Sequence, residues 1–163
     1  MTDQRNVAVD ATAFVARAEL ITNNALLDEG LRLFHDDCVA EWIFDGVYQR
    51  HDGIQAIRPA LTAMINVFRE HDMSGRKTLQ CFDGTTIVNS WRGGFHGDDR
   101  QFGTELWTLR DGLVVHHQMY IYLALTPRAS LLGQLRQLRI LLTSPRIALA
   151  TFNQERRAAR STQ

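Results

Sequence analysis

Residues 78–123 read as an almost unbroken series of strands and tight turns: TLQCF, DG, TTIVNSWRGGF, HGDD, QFGTELWTL, RDG, LVVHHQMYIYL. The runs are rich in β-branched and aromatic residues, and the breaks are Asp-Gly or Gly-containing turn sequences. Four strands joined this closely must run antiparallel, because a parallel return needs a crossover of about a dozen residues or more. Such a meander has an apolar face, and another part of the chain must cover it.

The cover is predicted from the residues before it. DATAFVARAELITNN reads as a helix, with Phe14, Val15, Ala18, Ile21 and Ala25 at helical spacing and Asp10 or Thr12 as its cap. ALLDEGLRLF reads as a second, short helix. After the polar Asp36-Asp37, CVAEWIF has strand composition and DGVYQRHDG is expected to be loop. Ile54, Ile57, Leu61, Met64, Ile65 and Phe68 lie on one face of a third helix. Pro59 is costly inside a helix, so the main helix is expected to start near it and to end around SGRK. Helices first and strands second give an α+β fold. Pro127 stops the last strand. The expected organisation is an α+β domain over residues 1–126 and a helical C-terminal extension over residues 127–163.

Charge separates these two parts. From Thr126 onward there are seven arginines and one acid, Glu155, so the extension carries +6 and the preceding residues −6 within a net charge of zero. Leu131, Leu132, Leu135, Leu138 and Leu142 with Arg136 and Arg139 make the extension amphipathic. It suits packing onto the acidic body or self-association better than attachment to an anionic membrane surface. Nucleic-acid binding is not expected, since the chain holds one lysine and no basic stripe interleaved with aromatics. No run is long enough to span a membrane, and the opening MTDQRNVAVDATAF has no apolar signal core. With only Cys38 and Cys81, both read as small core residues, a cytoplasmic location is expected. No metal-ligand spacing and no phosphate-binding glycine motif occurs, so no metal and no cofactor is expected. His35, His51, His71 and His96 stand in polar contexts and read as surface.

The adjacent His116 and His117 must point to opposite faces of their strand. A two-residue Asp111-Gly112 turn mixes apolar and polar residues on both faces. A three-residue Arg110-Asp111-Gly112 loop with a bulge sets Leu109 opposite Leu113 and separates the faces. Since the buried face sets register, the bulged turn is preferred. His117 then faces inward, directly opposite Glu105 and among Trp107, Met119 and Ile121. Two readings stay open: a structural pair satisfying two buried polar groups, or a general acid or base oriented by a carboxylate.

The order of two helices, LFHDDCVAEWIF, GIQAI, a third helix and a meander ending LWTLRDGLVVHHQMYIY resembles the SnoaL-like group of the nuclear transport factor two superfamily. Ketosteroid isomerase, scytalone dehydratase, limonene epoxide hydrolase and small polyketide cyclases share that fold. The resemblance covers residues 11–123. It implies a cone-shaped, curved antiparallel sheet packed on N-terminal helices around one deep, mostly apolar pocket, with catalytic residues on the inner face of the strands. The position of the ketosteroid isomerase base falls on Trp42. Those of the epoxide hydrolase Arg and Asp fall near Trp91 and Gly93, and its last-strand Asp falls on Met119, so none of these acids is present. The inner-face candidates are Trp42, Phe44, Asn89, Trp91, Glu105, Trp107, His117 and Met119, with Tyr48 near the pocket mouth.

The expected function is a cofactor-free acid/base enzyme of isomerase, cyclase, dehydratase or epoxide-opening type. His117 would carry the proton, Glu105 would orient it, and Trp42, Phe44, Tyr48, Asn89, Trp91, Trp107 and Met119 would line a pocket for a hydrophobic, even polycyclic, molecule. The alternatives are a non-catalytic binder of such a molecule and an oligomerisation module of the same fold. A small hydrophobic molecule and a second copy of the chain, as a homodimer, are the expected partners.

Overall fold

A computed structural model describes residues 9–123. The two helical segments expected after Pro127 lie outside the described residues.

Helix α1 spans Ala11–Asn23, and Asp10 caps it by accepting hydrogen bonds from the backbone of Thr12 and Ala13. It buries Ala11, Val15, Ala18 and Ile21. Helix α2 is short, Leu27–Leu31. Strand β1 (Phe34–Phe44) begins before the acidic pair and runs through it. The expected loop after β1 is instead strand β2 (Val47–Asp52). Asp45 and Gly46, with φ of 48° and 85°, form a two-residue turn of the kind that matches strand twist.

Helix α3 spans Ile54–Glu70 and contains Pro59 rather than starting near it. Pro59 sits early in the helix and removes only one hydrogen bond. The extra turn before it buries Ile57 completely, in line with Leu61 and Ile65. SGRK does not end this helix; it opens strand β3 (Ser74–Phe82). Strands β4 (Thr86–Gly94), β5 (Gln101–Arg110) and β6 (Leu113–Tyr122) complete the meander.

The strand order is β2-β1-β6-β5-β4-β3 in one curved, unclosed sheet. It is mixed rather than purely antiparallel, because β1 and β6 pair in parallel. Helix α1 lies along β3 and supplies that edge strand with acceptors. Asn23 Oδ1 takes the Gly75 N–H at 2.8 Å and Glu19 Oε2 the Lys77 N–H at 2.6 Å. This covers an edge that would otherwise expose unpaired amides and fixes the position of Lys77.

The β5–β6 connection differs in detail from the expected bulged turn. Arg110 pairs with Leu113 across a two-residue turn in which Asp111 and Gly112 both have positive φ. The extra residue lies further along β6: Leu109 pairs with Val114 and Thr108 with His116, which leaves Val115 as a bulge. Beyond the bulge the faces are as expected, with Glu105, Trp107, His117, Met119 and Ile121 buried. Before it they reverse, so Val114 is buried and Leu113 exposed. The residue opposite His117 is Trp107, while Glu105 pairs with Met119.

Two further expectations fail. Cys81 is exposed, whereas Cys38 is buried as expected. His51 is not a surface residue: it lies on β2 opposite Ala40 with its ring centroid 4.9 Å from that of Trp42.

Candidate functional site

The inner face of the sheet carries a row of paired positions, Trp42–Met119–Glu105–Asn89, flanked by the row Ala40–His117–Trp107–Ile87. Between this face and the helices lies a cavity of about 60 Å³, room for about four water-sized groups. Trp91, Glu105, Trp107, His117 and Met119 line it from the strands; aliphatic residues such as Ile21, Leu61 and Ile65 line it from α1 and α3. This is smaller than a polycyclic ligand requires.

The other expected lining residues lie elsewhere. Trp42 and Asn89 are fully packed behind the wall, and Phe44 is partly buried against the core. Tyr48 is exposed and donates its hydroxyl to Glu41 at 2.6 Å on the outer face of the sheet.

Glu105 is held by three strands. Its Oε2 accepts from Lys77 Nζ at 2.5 Å and from Asn89 Nδ2 at 2.7 Å. Asn89 Oδ1 in turn accepts from Trp107 Nε1 at 2.7 Å. Indole only donates and carboxylate only accepts, so these two neighbours fix the orientation of the Asn89 amide. Lys77 and Glu105 side chains are 6 % and 5 % exposed. Burial, the largest single influence, would raise the Glu105 carboxyl, but the Lys77 ammonium, the nearby His117 and the hydrogen bonds from Lys77 and Asn89 together outweigh it and hold the group below the usual carboxylate range. Glu105 is therefore ionised at neutral pH, and its Oε1 has no protein donor among the described residues.

His117 makes no hydrogen bond with Glu105, contrary to the expected pair, because the bulge at Val115 moves its partner two residues along β5. Its Nδ1 accepts from Trp42 Nε1 at 3.2 Å. Its ring stacks on Trp107 at 3.8 Å and 14°. Its Nε2 is buried and has no partner among the described residues. Burial drives the imidazole pKa down to about 3, against the attraction of Glu105 and with the repulsion of Lys77. The side chain is neutral at pH 7 and cannot serve there as an imidazolium.

Lys77 is the residue that the sequence reading missed. One signal was available: it is the only lysine in the chain, on a segment assigned to a helix end. Trp91 owes its place to Gly103, since a Cβ there would lie 2.5 Å from Trp91 Nε1. Among the described residues no group of three or more His, Cys, Asp or Glu side chains is arranged to hold a metal, and no helix is long and apolar enough to cross a membrane.

No protein-family model matches the sequence, and no curated protein does. Solved structures do match. A SnoaL-like protein of unknown function from Burkholderia thailandensis is 16% identical with a TM-score of 0.55, over 68% of this chain and 93% of its own. A provisionally named ketosteroid isomerase from Kribbella flavida is 19% identical with a TM-score of 0.53, over 74% and 86%. A provisionally named polyketide cyclase from Sinorhizobium meliloti is 18% identical with a TM-score of 0.52, over 68% and 99%. At such identities the likeness is one of fold. The chain has the SnoaL-like, nuclear transport factor two-like fold.

Proposed function

We propose that this protein is an acid/base enzyme of the isomerase or cyclase kind, acting on a compact, uncharged, largely apolar molecule with a carbonyl or hydroxyl oxygen. One observation carries the reading: an apolar cavity is lined by an ionised acceptor, Glu105, and a neutral donor, His117, each with one polar atom that has no partner among the described residues. Fold neighbours named for isomerase and cyclase activities support the reaction class.

The roles are the reverse of those read from the sequence. The ligand oxygen accepts a hydrogen bond from His117 Nε2–H. Glu105 Oε1 takes a proton from the adjacent carbon or hydroxyl and returns it at another atom of the same molecule. Lys77 balances the charge of the resting carboxylate. Trp107 stacks on the imidazole and is itself held by Asn89 Oδ1, which accepts from its indole N–H. Charge developing on the ligand oxygen is stabilised by a donor already in place.

A second reading has its own support: Lys77 and Asn89 both occupy Glu105 Oε2 and weaken it as a base. That favours a site that binds without reacting. Proton exchange separates the two. The protein is incubated in D₂O with a panel of small enones and β-dicarbonyl compounds, and deuterium uptake at carbon is followed by NMR. An enzyme exchanges at least one of them, and Glu105→Gln reduces the rate about 10²-fold or more. Saturable binding with no exchange above the buffer rate establishes the binder instead.

A further inference from the structure

We propose that Trp42 is a positioning residue that holds His117 as its Nε2–H tautomer and so makes the histidine of the cavity a hydrogen-bond donor. The inference deepens the reading of His117 given above and rests on it for its functional meaning.

The argument begins with the indole, which has one N–H and no acceptor. With Trp42 Nε1 3.2 Å from His117 Nδ1, that nitrogen must offer its lone pair. A neutral imidazole then carries its proton on Nε2, the atom without a protein partner among the described residues. Protonating Nδ1 would set two N–H groups against each other in a buried place.

The surroundings make this contact hard to evade. Ala40, which pairs with His117 across the parallel ladder, has too small a side chain to separate the two rings. Trp42 is 1 % exposed and is wedged between Phe44, edge-on at 6.4 Å, and His51 at 4.9 Å. The imidazole cannot turn over freely, because Trp107 stacks on it and Phe34 lies 5.7 Å away on centroids. The charged and titratable groups facing this pair are Glu105 on β5, Lys77 on β3, His51 on β2 and the buried Cys38 thiol on β1, which lies against the His117 backbone, with His116 beside it on β6. Of these, Glu105 favours a second proton on His117, and burial, Lys77 and His116 oppose it.

A buried indole also needs an acceptor simply to be satisfied. That structural role alone would not require Trp42 to control how His117 takes up protons. The test is ¹⁵N NMR of the ring nitrogens of the full chain, in wild type and Trp42→Phe, as a function of pH. Wild type is expected to show a protonated Nε2, an unprotonated Nδ1, and a scalar coupling across the hydrogen bond between Trp42 Nε1 and His117 Nδ1. In Trp42→Phe the Nδ1–H signal is expected at a pH at least one unit higher than in wild type. A proton on Nδ1 in wild type, or no coupling, overturns the proposal. So does a Trp42→Phe protein that takes up the second proton at the wild-type pH. If the variant does not fold, the wild-type coupling and tautomer decide. No substrate enters the experiment, so its failure is distinct from failure of the proton-exchange test.

Discussion

The two faces of the sheet each carry a glutamate near one of two adjacent histidines, and the two arrangements are built on different principles. On the outer face Glu41 accepts from Tyr48 at 2.6 Å, Gln118 at 3.3 Å and Arg50 at 3.4 Å, and lies 2.8 Å from His116 Nε2. The Tyr48 hydroxyl first, and His116 next, hold its carboxyl down at about 2. On the inner face Glu105 has one cation, Lys77, and one amide, Asn89, while His117 bonds elsewhere. Outside, several weak partners share a carboxylate that water also reaches. Inside, a single charge compensates another, and nothing described can take its place.

The largest expected effect tests that last point. Removing one member of a buried pair strands the other, at a cost of about 3–5 kcal/mol. Lys77→Met is therefore expected to lower the urea midpoint sharply. Adding Glu105→Gln removes the stranded charge while keeping an acceptor for Asn89, so the double variant is expected to recover most of the loss. If Lys77→Met alone unfolds no more easily than wild type, the inner carboxylate is not dependent on its cation and the contrast between the faces fails.

The meander, the inner face and most members of the site were legible because strand alternation and Asp-Gly turns are local signals. A two-residue turn alone would have set His116 rather than His117 beside Glu105 and Trp107; one extra residue anywhere in the β5–β6 connection returns Glu105, Trp107, His117 and Met119 to one face, so the sequence identified them even with the bulge misplaced. What it could not fix was who touches whom. With the extra residue on β6 at Val115 instead of in the turn, the partner of His117 moves two residues along β5, from Glu105 to Trp107, and a His–Glu pair becomes a His–Trp stack. Lys77 was illegible for another reason: SGRK has no apolar alternation, and its strand is stabilised by Asn23 and Glu19 of a helix more than fifty residues earlier. Trp42 was misjudged as pocket lining because residue type does not reveal that Ala40 lets it reach His117.

Acid sharpens the comparison at the next scale. His117 has a folded pKa of about 3 against an ordinary value of 6.5. Between those values the unfolded chain binds the extra proton, so stability rises with pH. This contribution is complete above pH 6.5 and is lost as pH falls towards 3, about 2 kcal/mol of it by pH 5. The two glutamates act in the same direction but lower, since their depressed pKa values matter only as pH falls through and below the usual 4.5. Between pH 7 and 5 neither glutamate contributes, so a slope there that disappears with the imidazole of His117 belongs to the inner histidine. His117→Asn, which keeps an acceptor for Trp42, is expected to lose that part of the slope in urea titrations at each pH. An unchanged slope would mean that His117 is no harder to protonate in the folded chain than in the unfolded one.

The smallest effect is expected outside. Arg50 reaches both Asp52 and Glu41 and is half exposed, so salt and water screen it. Glu41 keeps Tyr48, His116 and Gln118 when Arg50 is removed. Arg50→Ala should leave the urea midpoint unchanged at about 0.15 M salt and lower it slightly only when salt is removed. The value of so small a prediction lies in its failure. A loss comparable to that of Lys77→Met would mean that the outer cluster is shielded from solvent in solution. With Tyr120 and Tyr122 exposed on β6, the surface covering it would then come from outside the described residues. The two faces would differ in what lies against them rather than in how they hold a carboxylate.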